Sequence, residues 1–446
     1  MFLAIPYAAS PFGPNRFQAP VRPEPWEGIR PALAYGDTAP QPHRQFTLVP
    51  EPVTPGPDCL QLNVFTPADA GPGAGLPVLF WIHGGGFTAG CNASTWYRGE
   101  PFASKGVVTV SINYRLGAEG FLVIDGAASN RAVRDWMAAL AWVQENIAAF
   151  GGDPSKVTIA GQSAGGVACS TLLAVPSAKG LFRSAICMSG SRPPTTEAED
   201  AAAMTATIAE QLGVAPTLEG LAAVDPERLV AAQHDAMSFN PVIDGDVIPA
   251  GGLPVDASVR VMAGATAEEA VAAVAGLAEK LEDDERLGRH FGRRWQAGAD
   301  VVAAYRSRYP QLANWQLFGQ AISDVQFKAP SDRLVGAWAR GGGEAWLYAF
   351  EWRSLLPAYG SVHCLDLPFA FDNLRAAGAP EVTGEGAPQE LADAMHGAFV
   401  GFISDGDPGW AAYDDERRAG MVFDATSEVV DDPYRFERET WVSAAR

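Results

Sequence analysis

Two short stretches of the chain are almost continuously apolar and end at polar turns. Pro77–Ile82 (PVLFWI) runs into His83-Gly84-Gly85-Gly86, and Val107–Ile112 (VVTVSI) runs into Asn113. Runs of that length, rich in β-branched and aromatic residues, predict strands buried on both faces, as in a parallel sheet covered by helices. From Arg131 to Ala149 the period changes. Val133, Met137, Leu140, Ala141, Val143 and Ile147 recur at helical spacing, and Gly151 with Pro154 ends the helix. Val157–Ala160 predicts a short strand, followed by Gly161-Gln162-Ser163-Ala164-Gly165-Gly166 and an apolar helix to about Leu173. Ser184–Ser189, Val259–Gly264 and Ala345–Phe350 predict further strands. Alanine-rich helical stretches lie at Glu197–Leu212 and Glu268–Tyr309. Such alternation defines an α/β class with a mostly parallel central sheet flanked by helices.

The chain to about Pro57 is proline-rich and shows neither period. No repeat and no low-complexity linker divides the sequence, so residues 1–446 read as a single domain. Within it, the helical stretch from about Arg192 to Phe239 reads in two ways. Residues 192–240 form either a helical insertion over one end of the sheet, hence a lid, or plain connecting helices.

Composition narrows the partners. The net charge is −20, and an acidic surface repels nucleic acid and anionic membranes alike. Five cysteines without a C-x-x-C pair argue against a disulfide framework or a zinc site and fit a reducing compartment. The start, Met1-Phe2-Leu3-Ala4-Ile5-Pro6-Tyr7, has no basic stretch followed by an apolar run, and no segment has the apolar length to cross a bilayer. A cytoplasmic protein is expected, unless a leader once preceded Met1.

Gly161-x-Ser163-x-Gly165 lies between a predicted strand and a predicted helix, the context of a nucleophile elbow. Small flanking residues permit the strained turn that lifts the serine hydroxyl out of the sheet, and the following helix aims its positive end at a developing oxyanion. The glycine run after His83 lets backbone N–H groups approach a substrate oxygen. Gly85 and Gly86, with the N–H of Ala164, are candidates for an oxyanion hole. The serine needs a base, and the chain has only six histidines. His83 belongs to the glycine loop, His234 and His290 to helical stretches expected to be exposed, and His396 to an amphipathic helix over Leu391–Phe402, as a surface or packing residue. His363, in a loop after the strand Ala345–Phe350, is the first candidate on position. The acid should follow a strand between serine and base. Glu268 and Glu269 both do, Asp244 and Asp246 are weaker, and chain order does not choose.

These motifs, in order, resemble the type-B carboxylesterase family, which includes cholinesterases and bacterial para-nitrobenzyl esterases. The resemblance covers nearly the whole chain. It rests on Ile5-Pro6-Tyr7-Ala8, Arg16-Phe17, Asp58-Cys59-Leu60 with Asn63-Val64, and His83–Phe87. It continues with Asn113-Tyr114-Arg115-Leu116, Gly120-Phe121-Leu122, Trp142–Ile147, Phe150–Pro154, Phe239–Asp246 and Pro368-Phe369-Ala370-Phe371. The resemblance implies the α/β-hydrolase fold, with helical insertions over the active site, and a serine esterase using Ser163, Glu269 and His363. Gly264-Ala265-Thr266-Ala267-Glu268-Glu269 stands where the family has Gly-x-x-x-Asp-Glu, which selects Glu269. Gly85, Gly86 and Ala164 take the oxyanion-hole positions, and Met237 falls at the border of the acyl pocket. Phe239, among other aromatic residues, lines either a substrate pocket or the core. The resemblance also implies two-step acyl transfer without metal or organic cofactor, on a small, uncharged, apolar ester. The same triad serves amides, carbamates and lactones. A non-catalytic binding protein, known among family members with ruined triads, is the rival reading, and here serine, acid and base are all present.

The departures are specific. Gln162 replaces the usual Glu before the nucleophile, removing a negative charge beside the histidine and weakening attraction for cations. Pro57 replaces a Glu that pairs with the early arginine, leaving Arg16 without that partner. Cys59 has no upstream cysteine, and the chain starts almost on Ile5-Pro6-Tyr7-Ala8, where the family usually has a strand hairpin first, so either the start is truncated or the hairpin is dispensable.

Overall fold

In the computed structural model, which describes residues 1–44, 47–192, 195–233 and 238–441, the apolar runs become the centre of one ten-stranded sheet. Its strands are β1 (Phe2–Pro6), β2 (Gln61–Phe65), β3 (Leu76–Ile82), β4 (Val108–Ile112) and β5 (Gly152–Gln162). They continue with β6 (Ser184–Met188), β7 (Arg260–Thr266), β8 (Ala345–Phe350), β9 (Ala419–Phe423) and β10 (Glu428–Asp431). The spatial order is β1-β2-β4-β3-β5-β6-β7-β8-β9-β10. Strands β4 to β9 in that order run parallel, and only β1–β2, β2–β4 and β9–β10 are antiparallel pairs.

The sheet is apolar on both faces because both are covered. Val78, Phe80 and Ile82 of β3 join one core with Ala185 and Cys187 of β6 and Leu347 of β8. Leu79 and Trp81 join the other, with Ile186, Met188, Trp346 and Tyr348. On the first face lie helices α1 (Arg131–Asn146), α2 (Ala164–Leu172) and α3 (Ala329–Arg340), and on the second lies α4 (Gln389–Asp405). A smaller third core gathers Phe291, Tyr305, Phe318 and Trp441.

Several boundaries differ from the sequence expectation. β5 extends back to Gly152, because an irregularity between Leu76 and Val78 pairings absorbs the polar Asp153–Lys156 stretch. β2 escapes a period-based reading because Gln61 and Asn63 are fully buried. Their amides donate to the carbonyls of Asp37 and Asn92, at 2.7 and 3.1 Å. The stretch Glu268–Tyr309 is not one helix. It divides into a 3-10 segment (Ala272–Leu281), a helix capped by Asp283 (Asp284–Trp295) and another (Ala299–Arg308).

Residues 192–240 hold three helices, Ala198–Leu212, Leu218–Ala222 and Pro226–Ala231. Ile208, Leu221 and Leu229 are fully buried in the main core. The Arg16 guanidinium also holds this segment, donating to the carbonyls of Ala222, at 3.1 Å, and Val224. Arg16 does have a carboxylate partner, supplied by another part of the chain. Glu119 accepts from its Nε at 3.0 Å and its Nη2 at 2.6 Å, both side chains being buried. Removing one member of a buried pair strands the other charge. Glu119→Ala is therefore expected to destabilise the fold by about 3–5 kcal/mol, measured by urea denaturation. A loss within experimental error would show that water reaches Arg16.

Candidate active site

β5 ends at Gln162 and α2 begins at Ala164, leaving Ser163 alone in the turn between them. Its φ of +59° and ψ of −123° are a conformation that L-residues avoid. The surrounding backbone enforces it. The Ser163 N–H donates to Met188 O at 2.9 Å, and Ser163 O accepts from Val167 N at 3.0 Å. The flanking glycines are required by space. A Cβ on Gly165 would lie 2.0 Å from Ile82 O, one on Gly161 2.4 Å from the Gly165 carbonyl carbon, and one on Gly190 2.3 Å from Ser163 O.

The glycine loop abuts this turn, since a Cβ on Gly84 would meet Gln162 O at 2.7 Å and Ser163 Cβ at 3.2 Å. Gly85 and Gly86 adopt φ of +102° and +65°, and a Cβ on Gly85 would meet Ala89 O at 2.1 Å. Among the described residues, the N–H groups of Gly85, Gly86 and Ala164 donate to no protein acceptor. Three donors thus stand free around the serine. His83 has a supporting part. Its Nδ1 contacts Gly84 O at 2.8 Å, its ring stacks on Tyr114, and burial pushes its pKa down to about 4.

The two adjacent glutamates diverge. Glu269 is buried, accepts the Thr266 N–H at 2.8 Å through Oε1, and meets His363 Nδ1 through Oε2. Glu268 turns the other way, to Arg353 at 2.7 Å and the Ser361 N–H at 2.9 Å. Asp244 accepts from Ser129, Asn130 and three loop N–H groups, while Asp246 pairs with Arg134. His396 is buried against Phe102 and bonded to Ala370 O, and His290 is bonded to Arg286 O in its own helix; His234 lies outside the described residues. Burial lowers the His363 pKa and its neighbours Cys364 and Glu269 raise it, leaving it well above an ordinary histidine.

Of the neighbours of His363, Gln162 was expected beside it from the resemblance, whereas Cys364 and Phe327 were not singled out from the sequence. The amide nitrogen of Gln162 lies 3.3 Å from Nε2 and 3.5 Å from Nδ1. Near-equal distances to both ring nitrogens place it over the ring face, outside the plane of a direct hydrogen bond. The Cys364 thiol donates to Gln162 Oε1 at 3.2 Å, which fixes the direction of the amide. The Phe327 ring packs 5.2 Å from the imidazole. Behind them Asp366 is fully buried with Oδ1 unpartnered. Burial first, then the charge of Glu269, pushes its pKa up to about 7. Ser163 Oγ has no hydrogen-bond partner among the described residues, and catalytic hydrogen bonds are often long in unliganded sites.

Ser163, His363 and the glycine loop open on one cavity of about 310 Å³, whose wall includes Trp81, Tyr97, Leu367, Arg44 and Glu51. Phe239, a candidate for the substrate pocket, is instead buried in the main core and does not reach this wall; Met237 lies outside the described residues. No helix among the described residues is long and apolar enough to cross a membrane.

The sequence profile of the carboxylesterase family matches residues 1–434. The para-nitrobenzyl esterase of Bacillus subtilis (strain 168) is similar at 33% identity, over 98% of this chain and 93% of that protein. The phenmedipham hydrolase of Pseudarthrobacter oxydans is 32% identical over 92% of this chain and 87% of its own length. Among solved structures, a carboxylesterase of Geobacillus stearothermophilus superposes with a TM-score of 0.89 at 34% identity, covering 99% of this chain and 95% of that one.

The close approach of α2 to β3 sets a test. Gly165→Ala is expected to cost about 1–3 kcal/mol or more, as overpacking does. Thermal denaturation measures it, and an unchanged midpoint would mean that the turn relaxes freely.

Proposed function

The chain belongs to the carboxylesterase family and hydrolyses carboxylic esters as a serine hydrolase, and from that premise we propose that Ser163 is its nucleophile, His363 its base and Glu269 its acid. The observation that carries the assignment is convergence. One cavity receives Ser163, the imidazole bonded to Glu269, and the glycine loop with the free N–H groups of Gly85 and Gly86, while the free N–H of Ala164 adjoins Ser163 in the chain. Ser163 Oγ attacks the ester carbonyl while His363 Nε2 takes its proton. Glu269 holds Nδ1–H, fixing the tautomer, and balances the imidazolium. The three N–H groups donate hydrogen bonds to the oxyanion. The alcohol leaves with the proton from His363, and water repeats the sequence on the acyl-enzyme.

The proposal includes a small, uncharged, apolar ester, supported by the aromatic wall and by the neutral amide where the family carries a carboxylate. It includes a cytoplasmic location, supported by five cysteines that are all buried and unpaired. It also takes the helices between Ala198 and Ala231 as fixed connecting helices rather than a moving lid, because Ile208, Leu221 and Leu229 anchor them in the core. Slow amide exchange across those helices is expected, and rapid exchange there in a folded protein would favour the lid.

The triad is tested with p-nitrophenyl acetate, butyrate and octanoate. Ser163→Ala should abolish turnover and keep the fold. His363 works only when neutral, and Glu269 raises its pKa. The acid limb of kcat/KM should therefore lie above the ordinary histidine value of about 6.5. Glu269→Gln should lower both the rate and that limb. Ester turnover retained by Ser163→Ala would reject the nucleophile, and an acid limb unmoved in Glu269→Gln would reject the acid.

A further inference from the structure

A buried polar network lies on the far side of the acid loop from the substrate cavity. It is built on a single π-turn, Asp324–Lys328, in which the Ala329 N–H reaches Asp324 O. Lys328 Nζ sits 3.1 Å from Asp324 Oδ1 and 3.1 Å from Glu437 Oε1. Tyr305 OH donates to Asp324 Oδ2 at 2.6 Å and accepts from Trp441 Nε1 at 2.8 Å. Gln320 Nε2 donates to Asp324 Oδ1 at 2.9 Å and to the carbonyl of Ala267, also at 2.9 Å. One turn along, Ser323 Oγ accepts the Ala270 N–H at 3.0 Å and donates to Gly319 O at 2.9 Å. All of these side chains are buried.

Ala267 and Ala270 bracket Glu268 and Glu269. We propose that Gln320 and Ser323, held in place by the Asp324–Lys328–Glu437 network, are positioning residues that fix the loop carrying Glu269 and so aim its carboxylate at His363. The inference rests on the assignment of Glu269 as the acid. The network is an expensive way to fill a core. It desolvates a cation and two carboxylates, and burial pushes the carboxyls of Glu437 and nearby Glu351 above their usual range. Apolar side chains of equal volume serve stability as well or better. What polar groups add is direction. Ala267 O and Ala270 N point into the protein, and only donors and acceptors at fixed positions can hold them there. The same π-turn supplies Phe327 against the imidazole. One turn therefore touches the acid's loop and the base's ring, and π-turns inside helices often mark functional positions. A misplacement of the order of 1 Å costs roughly a hundredfold in rate.

The test uses Gln320→Leu in the full chain, which removes the donor and leaves the ion pairs intact. Around His363 the charged or titratable groups are Glu269, Cys364 and Asp366, while Gln162 and Phe327 bring no charge, and the substitution alters none of them. The expected result is a fall in kcat for p-nitrophenyl acetate of roughly 10- to 100-fold with KM changed less than about twofold. The acid limb of kcat/KM should move to lower pH, because the imidazole loses part of its anion. A folded variant with unchanged kcat and unchanged pH profile overturns the proposal. So does a loss confined to thermal stability. If Gln320→Leu does not fold, Ser323→Ala removes one hydroxyl from the same loop, and the same two readouts decide. Glu269→Gln run alongside separates the failures. Retained activity there rejects the acid assignment, whereas an inactive Glu269→Gln beside a normal Gln320→Leu rejects the positioning role alone.

Discussion

A Cβ on Gly165 would stand 2.0 Å from the carbonyl oxygen of Ile82, so the start of α2 rests directly on the end of β3, backbone against backbone. Gly161 closes the same contact from β5, and Gly190, just past β6, touches Ser163 O. Three strand ends and one helix start thus meet with no side chain between them. Ser163 has no freedom to leave its positive φ while Met188 O and Val167 N hold its two peptide groups. The glycine loop is the continuation of β3, so its N–H donors are placed relative to the serine by backbone contact alone. Rotamer motion does not loosen such an arrangement, which is what electrostatic stabilisation of a developing oxyanion requires.

The proposed acid and base are positioned differently. They stand on loops after β7 and β8, and their placement depends on hydrogen bonds. Two carboxylates, Glu269 and Asp366, lie behind one imidazole. Only Glu269 is bonded to it, and the Glu269 charge helps keep Asp366 protonated below about pH 7. As the pH rises through that value, Asp366 acquires a second negative charge behind the site. The −20 surface is screened within about 8–10 Å at physiological salt, and these buried charges are not.

How much of this was legible in the sequence follows from which contacts are local. Central strands such as β3 and β8 show themselves because burial on both faces forbids polar residues. β2 does not, since the buried amide nitrogens of Gln61 and Asn63 donate to the distant carbonyls of Asp37 and Asn92. The turn at Ser163 and the glycine loop are local motifs, and the strand–turn–helix context expected around Ser163 is what the structure has. Glu268 and Glu269 are consecutive on a turn and point to opposite sides, a distinction that chain order cannot carry and that only the family resemblance supplied. His396, read as a surface or packing residue, turns out to pack. Its helix is amphipathic, and the histidine lies on the buried face, against Phe102. Asp324 and Lys328 stand at i,i+4 spacing, a visible signal, yet that spacing usually means an exposed pair. Nothing in the sequence ties them to Glu437 or Ala267.

Gln162 shows why the acid loop matters more in this chain than the triad alone implies. A carboxylate at that position, about 4 Å from an imidazolium, would contribute on the order of 4 kcal/mol at an effective dielectric near 20. The amide supplies a dipole instead, and Cys364 fixes its sense. With Oε1 taken by the thiol, the N–H end faces the ring and opposes the positive charge that forms during proton transfer. Stabilising the imidazolium then falls to Glu269. With one carboxylate doing the work of two, small errors in its position are uncompensated. If Glu269 is the acid as proposed, that is the physical reason for a rigid polar network at Ala267 and Ala270, where an apolar core would hold the fold but not the aim.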